Sequence, residues 1–584
     1  MNFLKKYFIF VFAYTILLLS FVPIFYEASV ANLLPPDRTM VWGEYNYTYD
    51  YNVYLSKIRQ GQEGRMSVVD KYDNKTKQKG VFLQMFYLLS GKLTRIFDLS
   101  PVLSYHLLRT VMAFFWISTI IFLNIYFLRK ISLVNLGVIL SFLTASFPVF
   151  YQFDNQLWVT FYMNWWQELD ILKRVSFIPH DTFNYISISI LSILLSLMNK
   201  NKSNKYFIII CLLLFISVFI HPSSALLFLV SWILYHLILI FWSSPALDQS
   251  REQALVSFPR RRESRLKSPF KNVIVDWIPF FKGMTNKKLI KQTFVIFISV
   301  LIPILYIKTV TSSYPWKSLL DFDQNNRMSI NIKDYILTLG PIFFIGISGL
   351  ILVLVKKRQE LLSLVTWILG ASILLIVFKF FPYQSELRFV QTANHIPLAI
   401  LSAYLFQELW QNIRVIKFII IIIVITIIIN GLTQVYFSII SQTQFINQRA
   451  MATIPLVPYP PQVMYPLKDF YNGLKWLEKN TSHQTVVLSK ITAGNYIPAY
   501  SGNFVYLGHG AETPNYSART EKVNEFFSGS LSEKQALAFL KLENISYIFY
   551  GPQEKENNLK EIGSYGFLKI SYQSPLVIIY ELIK

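Results

Sequence analysis

Charged side chains are scarce in this sequence of 584 residues. Asp, Glu, Lys and Arg together make up 15% of it, whereas a soluble domain carries about 25%. Hydrophobic residues make up 53%, and the mean hydropathy is +0.40. The apolar residues come in long blocks separated by short basic stretches. This composition excludes an ordinary soluble protein and predicts a polytopic α-helical membrane protein.

Cysteine and acidic residues are also few. The one cysteine, Cys211, lies inside an apolar run, so no intrachain disulfide is possible and any outer domain must be stable without one. There are 33 Asp and Glu against 55 Lys and Arg, which gives a net charge of +22. Much of this excess lies in short loops, where Lys and Arg set membrane topology. We therefore expect membrane lipids, and no nucleic acid, among the partners.

The apolar blocks predict about eleven membrane spans. Lys5 and Lys6 precede the first span, and because no small-residue cleavage site follows closely, we interpret it as an uncleaved signal anchor. The positive-inside rule places the N-terminus in the cytoplasm and the C-terminus outside, in the cytoplasmic membrane of a bacterium. The predicted spans are Tyr7–Tyr26, Leu107–Leu128, Ile131–Phe150, Thr182–Met198, Tyr206–Ile220, Ser223–Trp242, Thr293–Ile307, Tyr335–Val355, Leu361–Phe378, His395–Phe406 and Phe418–Phe437.

Two domains are predicted. Residues 1–440 form a transmembrane domain, in which 28–104 is a first outer loop and 245–291 a basic cytoplasmic insertion. Within the loop, Val81–Phe97 fits an interfacial helix or a core helix of the loop. Residues 441–584 begin with a proline-rich linker and continue as an extracytoplasmic α/β domain. Its predicted helices are Leu467–Lys479, Lys522–Phe527 and Glu533–Leu542, and its predicted strands are Thr485–Ser489, Phe504–Leu507, Tyr547–Tyr550 and Leu576–Leu582.

The basic insertion has two interpretations. From about Ser257 to Thr285 it resembles the translation of a dispersed bacterial palindromic repeat that inserts in frame into coding sequences. This resemblance implies a tolerated insertion in a cytoplasmic loop. The alternative is a patch that binds anionic lipids or has a regulatory role.

Ionisable residues are nearly absent from the middle of the predicted spans. A proton- or ion-coupled transporter normally needs such groups along its path, so this absence disfavours that class. Polar residues gather instead at the predicted outer ends of spans and in outer loops, which indicates an outer-leaflet pocket as the default site. The candidates are Asp50, Tyr54, Arg109, Glu168, Asp170, His180, Asp181, His221, Glu386 and Arg388.

Several of these candidates also have ordinary structural explanations. Asp50 is the one acid among the tyrosines of the first loop, and it fits a solvated loop acid as well as a catalytic one. Glu168 and Asp170 fit a solvated face. The adjacent residues His180 and Asp181 fit a helix start, because an Asp is favourable in the first turn.

The remaining candidates have alternatives of the same kind. His221 fits a simple helix break before a proline. Glu386 and Arg388 fit an ion pair with each other, and Arg109 fits a residue that snorkels outward or holds the outer loop. His509 in the C-terminal domain fits an ordinary loop as well as a contact to an acceptor.

The first outer loop and the segment after it carry a family resemblance. Its motifs are Asp50-Tyr51-Asn52-Val53-Tyr54, running on to Gly61 and Gly64, and Leu99-Ser100-Pro101 followed by Tyr105, His106 and Arg109. With the signal anchor, many spans and a C-terminal outer domain, this layout resembles the C-type (GT-C) membrane glycosyltransferases. That group includes protein mannosyltransferases, aminoarabinose transferases and oligosaccharyltransferase catalytic subunits.

The resemblance implies transfer of a sugar from a polyprenyl-phosphate carrier to an acceptor glycan, lipid or protein on the outer face. It implies that Asp50 orients or deprotonates the acceptor hydroxyl or holds a divalent cation, with His180 and Asp181 as further catalytic residues. Arg388 and Arg109 are expected to bind the donor phosphate, whose charge His180 would also offset. The expected substrate contacts are Tyr54, Glu168, Asp170, His221 and Glu386.

The sequence departs from the family pattern in two places. Many members carry two adjacent acids in the first loop, whereas Asp50 lies between Tyr49 and Tyr51. The C-terminal domain has no WWD-type signature, which disfavours a metal site and asparagine-linked transfer. A non-enzymatic transporter or scaffold for an envelope polysaccharide or lipid is the alternative function.

Overall fold

The computed structural model describes ten stretches of the chain, and a helical membrane part precedes a sheet domain in them. The predicted basic insertion falls almost entirely outside these stretches, as do Glu168 and most of the proline-rich linker. The described residues are 2–44, 48–153, 155–166, 169–201, 203–243, 287–381, 384–411, 414–451, 465–556 and 561–583.

Among the described residues, seven helices are long and apolar enough to cross a membrane, or eight if one bent pair counts as a span. The chain is an integral membrane protein, but the expected count of about eleven spans is not confirmed. Two other apolar helices have 13 and 17 residues, fewer than the roughly 20 that a bilayer core requires. The helices before the sheet domain are α1 Asn2–Ser20, α2 Val22–Val30, α3 Thr48–Gln62, α4 Met85–Arg95, α5 Pro101–Leu128, α6 Ile131–Leu143, α7 Pro179–Asn201, α8 Asn204–Ile220, α9 Pro222–Trp242, α10 Lys287–Val310, α11 Lys317–Asn325, α12 Ile332–Leu339, α13 Pro341–Val355, α14 Leu362–Lys379, α15 His395–Trp410 and α16 Arg414–Ala450.

The predicted span Ile131–Phe150 is wrong in its second part. Helix α6 ends at Leu143, and Thr144 leaves the helical conformation with ψ of 116°. Pro148 has no N–H to donate to a continuing helix. The chain instead forms an antiparallel hairpin of β1 (Pro148–Phe153) and β2 (Gln156–Phe161).

The predicted span Tyr335–Val355 is bent by 90° between α12 and α13. Gly340, between the two helices, has φ of +63° and ψ of −154°, a conformation that glycine adopts without a steric penalty. A Cβ at this position would lie 2.0 Å from the carbonyl oxygen of Ala145. Pro341 then starts α13. Proline is favoured there because the N–H that it lacks would have no hydrogen-bond partner within the helix.

Helices α3 and α4 of the first loop cross in close contact. A Cβ on Gly61 would lie 2.0 Å from the Leu88 carbonyl oxygen, and one on Gly91 would lie 2.0 Å from that of Ile58. The opposite face of α4 is apolar and solvent-accessible, with Leu93 66% exposed. The segment Val81–Phe97, predicted as an interfacial or a core helix, therefore has one surface that packs on α3 and another that is apolar and solvent-accessible.

The sheet domain consists of α17 Lys468–Asn480, β3 Val486–Leu488, α18 Ile491–Tyr500, β4 Phe504–Val505, α19 Tyr516–Ser528, α20 Glu533–Leu542, β5 Ile545–Tyr550, β6 Leu568–Gln573 and β7 Ile578–Leu582. Its strands form a five-stranded sheet in the order β4-β3-β5-β7-β6. Strands β4, β3 and β5 are parallel, and β7 and β6 continue the sheet in antiparallel pairs. Every helix and strand predicted in this domain is present, although α18 and β6 were not predicted.

The first loop and the sheet domain share one hydrophobic core. Buried side chains of α3, such as Val53 and Ile58, belong to the same cluster as Ile497 of α18 and Val505 of β4. Polar contacts reinforce this packing, since Asn52 Nδ2 donates to Asn495 Oδ1 at 2.6 Å. The sheet domain therefore packs directly onto the helix that begins beside Asp50. We call the side of the helix bundle that carries α3, α4 and the sheet domain the domain face.

Candidate functional site

Asp50 lies in the first turn of α3, and its side chain is 31% exposed. An acid in this position is favoured by the partial positive charge of the helix N-terminus. Its Oδ1 lies 2.9 Å from Nε2 of His509, which comes from the loop between β4 and α19 and is 3% exposed. The carboxylate thus combines access to solvent with a buried partner from the sheet domain.

The tautomer of the neutral His509 ring follows from the contact of its other nitrogen, Nδ1. The backbone N–H of Ala511 lies 3.2 Å from Nδ1 and donates to it. Nδ1 is therefore the acceptor nitrogen, so in the neutral ring the hydrogen is on Nε2 and is donated to Asp50.

Four tyrosines form an aromatic cluster beside Asp50. The rings of Tyr54 and Tyr87 are stacked at 4.4 Å, and the rings of Tyr51 and Tyr105 meet edge to face at 4.8 Å. Tyr51 and Tyr54 are three residues apart on α3 and therefore share a helix face. Tyr54 also meets the ring of His180 edge to face at 5.5 Å, which connects the first loop to the start of α7.

His180 is held by a buried tyrosine. The Tyr87 hydroxyl lies 2.7 Å from Nδ1 of His180. Burial, followed by the neighbouring Tyr105, Asp181 and Asp50, raises the pKa of Tyr87 well above its ordinary value. The phenol therefore keeps its proton, which it can donate to Nδ1.

The N-terminal ends of α7 and α9 bring two histidines and an acid together. Asp181 Oδ1 is 3.0 Å from His221 Nε2, and the rings of His180 and His221 are 5.8 Å apart. Nδ1 of His221 lies 2.8 Å from the Ser223 hydroxyl. Both helices begin at a proline, a residue favoured in the first helical turn.

Arg388 completes this group of side chains. Its side chain is 43% exposed, and a guanidinium nitrogen lies 3.6 Å from a carboxylate oxygen of Asp323. Asp181, His221, Arg388 and Asp50 all lie close enough to the His180 ring to act on it electrostatically. The structure therefore brings five of the predicted site residues into one neighbourhood on the domain face, with Tyr54 against it.

Two other predicted site residues lie in structural contacts. Arg109 is 3% exposed, pairs with Glu44 at 2.6 Å and donates to the Ser176 carbonyl. Asp170 Oδ1 accepts from two backbone N–H groups and from the Ser438 hydroxyl at 2.8 Å. For Arg109 these contacts fit the role of holding the outer loop.

Glu386 is buried and does not pair with Arg388. Its Oε1 accepts from the backbone N–H of Ile330 at 2.9 Å, and Oε2 lies 3.6 Å from Arg327. The contacts of Glu386 are therefore with Ile330 and Arg327, whereas Arg388 lies against Asp323.

The bond between His509 and Asp50 was missed by sequence reasoning. The two residues are 459 positions apart, and no local pattern encodes such a contact. A histidine between glycines in a polar loop was the available signal, since functional side chains concentrate on loops.

Within the described stretches, no group of three or more His, Cys, Asp or Glu residues is placed to hold a metal ion.

Comparisons with known proteins bear on the fold. No family model and no curated protein sequence matches the chain. The archaeal oligosaccharyltransferase AglB from Archaeoglobus fulgidus, solved with an inhibitory peptide and a dolichol-phosphate, aligns with a TM-score of 0.51 at 13% identity. The alignment covers 94% of this chain and 69% of AglB. The apo form of the Archaeoglobus fulgidus oligosaccharyltransferase aligns with a TM-score of 0.51 at 12% identity over 94% and 70% of the two chains.

The chain has the GT-C fold. ArnT from Cupriavidus metallidurans, solved with undecaprenyl phosphate, also aligns over 98% of this chain and 97% of its own, but at 8% identity and a TM-score of 0.49. In this GT-C fold the first loop, the span ends and the sheet domain meet on the domain face.

Proposed function

We propose that the protein is a glycosyltransferase that moves a sugar from a polyprenyl-phosphate donor to an acceptor glycan, lipid or protein. The observation that carries this proposal is the meeting of Asp50, His180, Asp181, His221 and Arg388 on the domain face. They come from four separate parts of a GT-C fold, and Asp50 and Arg388 remain accessible to solvent.

The reaction assigns a role to each accessible group. The acceptor hydroxyl attacks the anomeric carbon of the donor sugar, and the bond from that carbon to the phosphate oxygen breaks. Asp50 takes the hydroxyl proton as general base, and the polyprenyl phosphate leaves with the bonding electrons. Arg388 offsets the negative charge that develops on the phosphate, with His180 beside it.

The sugar and acceptor contacts are assigned to the aromatic cluster and the second histidine. Tyr54 presents a partly exposed ring next to His180, and aromatic faces pack well against the apolar faces of sugars. His221 is fixed by Asp181 and Ser223 and is assigned to substrate hydroxyl groups.

The proposed orientation places the domain face outside the cytoplasm. Helix α5 has Tyr105 at the domain face and ends before Arg129 and Lys130, about 35 Å farther along its axis. Helix α16 ends at Ala450, whose carbonyl accepts from Arg38 of the first loop, so Arg414 at its start is also on the far side. Basic residues thus lie opposite the sheet domain, which by the positive-inside rule marks that side as cytoplasmic. We assign the chain to a bacterial cytoplasmic membrane with an extracytoplasmic C-terminal domain.

The test of the function is an isosteric change at Asp50. Membrane vesicles containing the protein are loaded with undecaprenyl-phosphate-linked glucose, mannose or 4-amino-arabinose carrying a radiolabelled sugar, and release of label from the lipid is followed. Asp50→Asn removes the base and is expected to slow release by about 10²- to 10⁴-fold. Asp98→Asn is the matched control, because Asp98 is an exposed acid in the same loop and should retain the wild-type rate.

Two results would contradict the proposal. Full activity of Asp50→Asn would remove the catalytic assignment. Movement of the labelled lipid across the membrane with its sugar still attached would instead support the transporter alternative, because transport leaves the sugar–phosphate bond intact.

A further inference from the structure

The loop 508–513 of the sheet domain contacts α3 at two points. His509 donates to Asp50, and Glu512 forms a salt bridge with Lys57 at 2.9 Å, in which both side chains are at most 2% exposed. Asp50 and Lys57 are seven residues apart, so they lie on one face of α3, about two turns from each other. Gln84 donates to the other oxygen of Glu512 at 2.9 Å. The loop is thus fixed along the part of α3 that begins with the candidate catalytic acid.

The same loop is braced from within. The backbone N–H of Gly508 donates to the Thr513 hydroxyl at 3.1 Å, and the N–H of Thr513 donates to the His509 carbonyl at 2.8 Å. With Ala511 donating to Nδ1, the His509 ring is held from its backbone and from its second nitrogen. An imidazole fixed in this way presents its Nε2–H in one direction.

We propose that His509 is a positioning residue for Asp50, so that the sheet domain completes the site which the membrane part alone leaves unfinished. This inference rests on the proposed function. The bond to His509 takes Oδ1 of Asp50 and restrains rotation of the carboxylate, which directs Oδ2 to the acceptor hydroxyl. Such a charge-assisted hydrogen bond is stronger than a neutral one, and positioning of a reacting group by a fraction of an ångström can change a rate by about 10²-fold.

In this proposal His509 is the distant partner of Asp50, which has no acid directly beside it in the sequence. A positioning role also predicts which kinetic constant responds. Because His509 bonds to the group that receives the proton and is itself 3% exposed, its loss should lower kcat and leave the KM for the lipid donor nearly unchanged.

The experiment compares three variants in the vesicle assay, using the undecaprenyl-phosphate sugar that the wild type consumes. His509→Ala removes the donor and is expected to lower kcat by about 10- to 100-fold with KM changed less than about twofold. His509→Gln can place its amide nitrogen near the position of Nε2 and is expected to recover kcat to within about fivefold of wild type. His483→Ala is the control, because Nδ1 of His483 pairs with Glu63 at 2.9 Å and so links the same domain to the other end of α3.

His483 and His509 contact α3 about 20 Å apart along its axis, so the control removes a similar link without touching Asp50. Equal losses of kcat in His509→Ala and His483→Ala would show that both residues only dock the domain, and would overturn the proposal. Failure of His509→Gln to recover activity would also overturn it. A higher kcat in His509→Ala would show that the histidine competes with the acceptor, and would overturn it too.

The outcome for Asp50→Asn separates this inference from the proposed function. If Asp50→Asn is inactive and His509→Ala is fully active, the positioning role is wrong and the glycosyltransferase proposal stands. If Asp50→Asn is fully active, the catalytic role of Asp50 is wrong, and the role of His509 is wrong with it.

Discussion

Arg388 and Arg109 were both predicted to bind the donor phosphate, but solvent reaches them very differently. The Arg388 side chain is 43% exposed and Arg109 is 3% exposed. Arg109 already pairs with Glu44 and bonds to Ser176. A phosphate that approached Arg109 would have to displace a buried carboxylate, whereas Arg388 pairs at 3.6 Å with Asp323 near the surface.

We predict that Arg388→Ala weakens binding of undecaprenyl phosphate by about 10- to 100-fold, because a hydrogen bond to a charged group contributes about 1.5–3 kcal/mol. Arg388→Lys keeps the charge without the planar guanidinium group, and its affinity for undecaprenyl phosphate should lie between those of the wild type and Arg388→Ala. Binding is measured by native mass spectrometry of the protein in nanodiscs. Unchanged binding in Arg388→Ala would contradict the phosphate assignment.

Arg109→Ala serves as the comparison in the same experiment. It should lower the unfolding temperature, because it leaves the Glu44 carboxylate buried without its cation. Loss of lipid binding without loss of stability in this variant would show that Arg109, rather than Arg388, holds the phosphate.

At the scale of elements, the crossing of α3 and α4 fixes the position of Asp50. Gly61 and Gly91 let the two backbones approach so closely that a Cβ on either would lie 2.0 Å from a carbonyl oxygen. That oxygen belongs to a helix backbone and cannot rotate away as a side chain can. A larger residue must therefore push α3 and α4 apart.

Gly91→Ala is predicted to destabilise the protein by about 1–3 kcal/mol and to lower transferase activity, since displaced α3 carries Asp50 with it. The measurement is thermal unfolding in detergent, followed by intrinsic fluorescence, together with the vesicle assay. Leu89→Ala, on the same helix at a position that is 50% exposed, should change stability by less than about 0.5 kcal/mol. Similar unfolding temperatures for both variants would show that the crossing tolerates a methyl group.

The elements outside the membrane were largely predictable from local patterns. Glu533–Leu542 was predicted with the bounds that the structure has, and its Ser532 cap forms a capping box with Gln535. Helix α18 was missed because it is buried on every side, so its sequence shows no amphipathic period. Strand β6 was missed because it is an edge strand with several polar, exposed residues.

At the scale of the whole molecule, the single native cysteine makes the proposed orientation testable. In a Cys211→Ser background, Asp98→Cys places a thiol on the domain face and Lys357→Cys places one after α13, beside other basic residues. Both native side chains are exposed. A membrane-impermeant maleimide added to intact spheroplasts should label Asp98→Cys, and should label Lys357→Cys only after permeabilisation. The reverse pattern would invert the orientation.

For two predicted spans, the hydropathy pattern did not predict the path of the backbone. The block Ile131–Phe150 is mostly apolar, yet its second part enters a hairpin after Thr144. The block Tyr335–Val355 is bent at Gly340. The backbone path depended on Pro148 in the first block and, in the second, on Gly340, which packs against Ala145.

The membrane character, the order of the parts and the residue types of the candidate site could all be predicted from the primary structure. These properties depend on composition and on periodicity within single segments, which are local quantities. Which polar residues meet is visible only in the folded structure, because the hydrogen bonds that His509 donates to Asp50 and Lys57 donates to Glu512 join positions more than 450 residues apart. It also separated Arg388, which remains accessible, from Arg109, which is buried, since exposure depends on what the rest of the chain packs against each side chain.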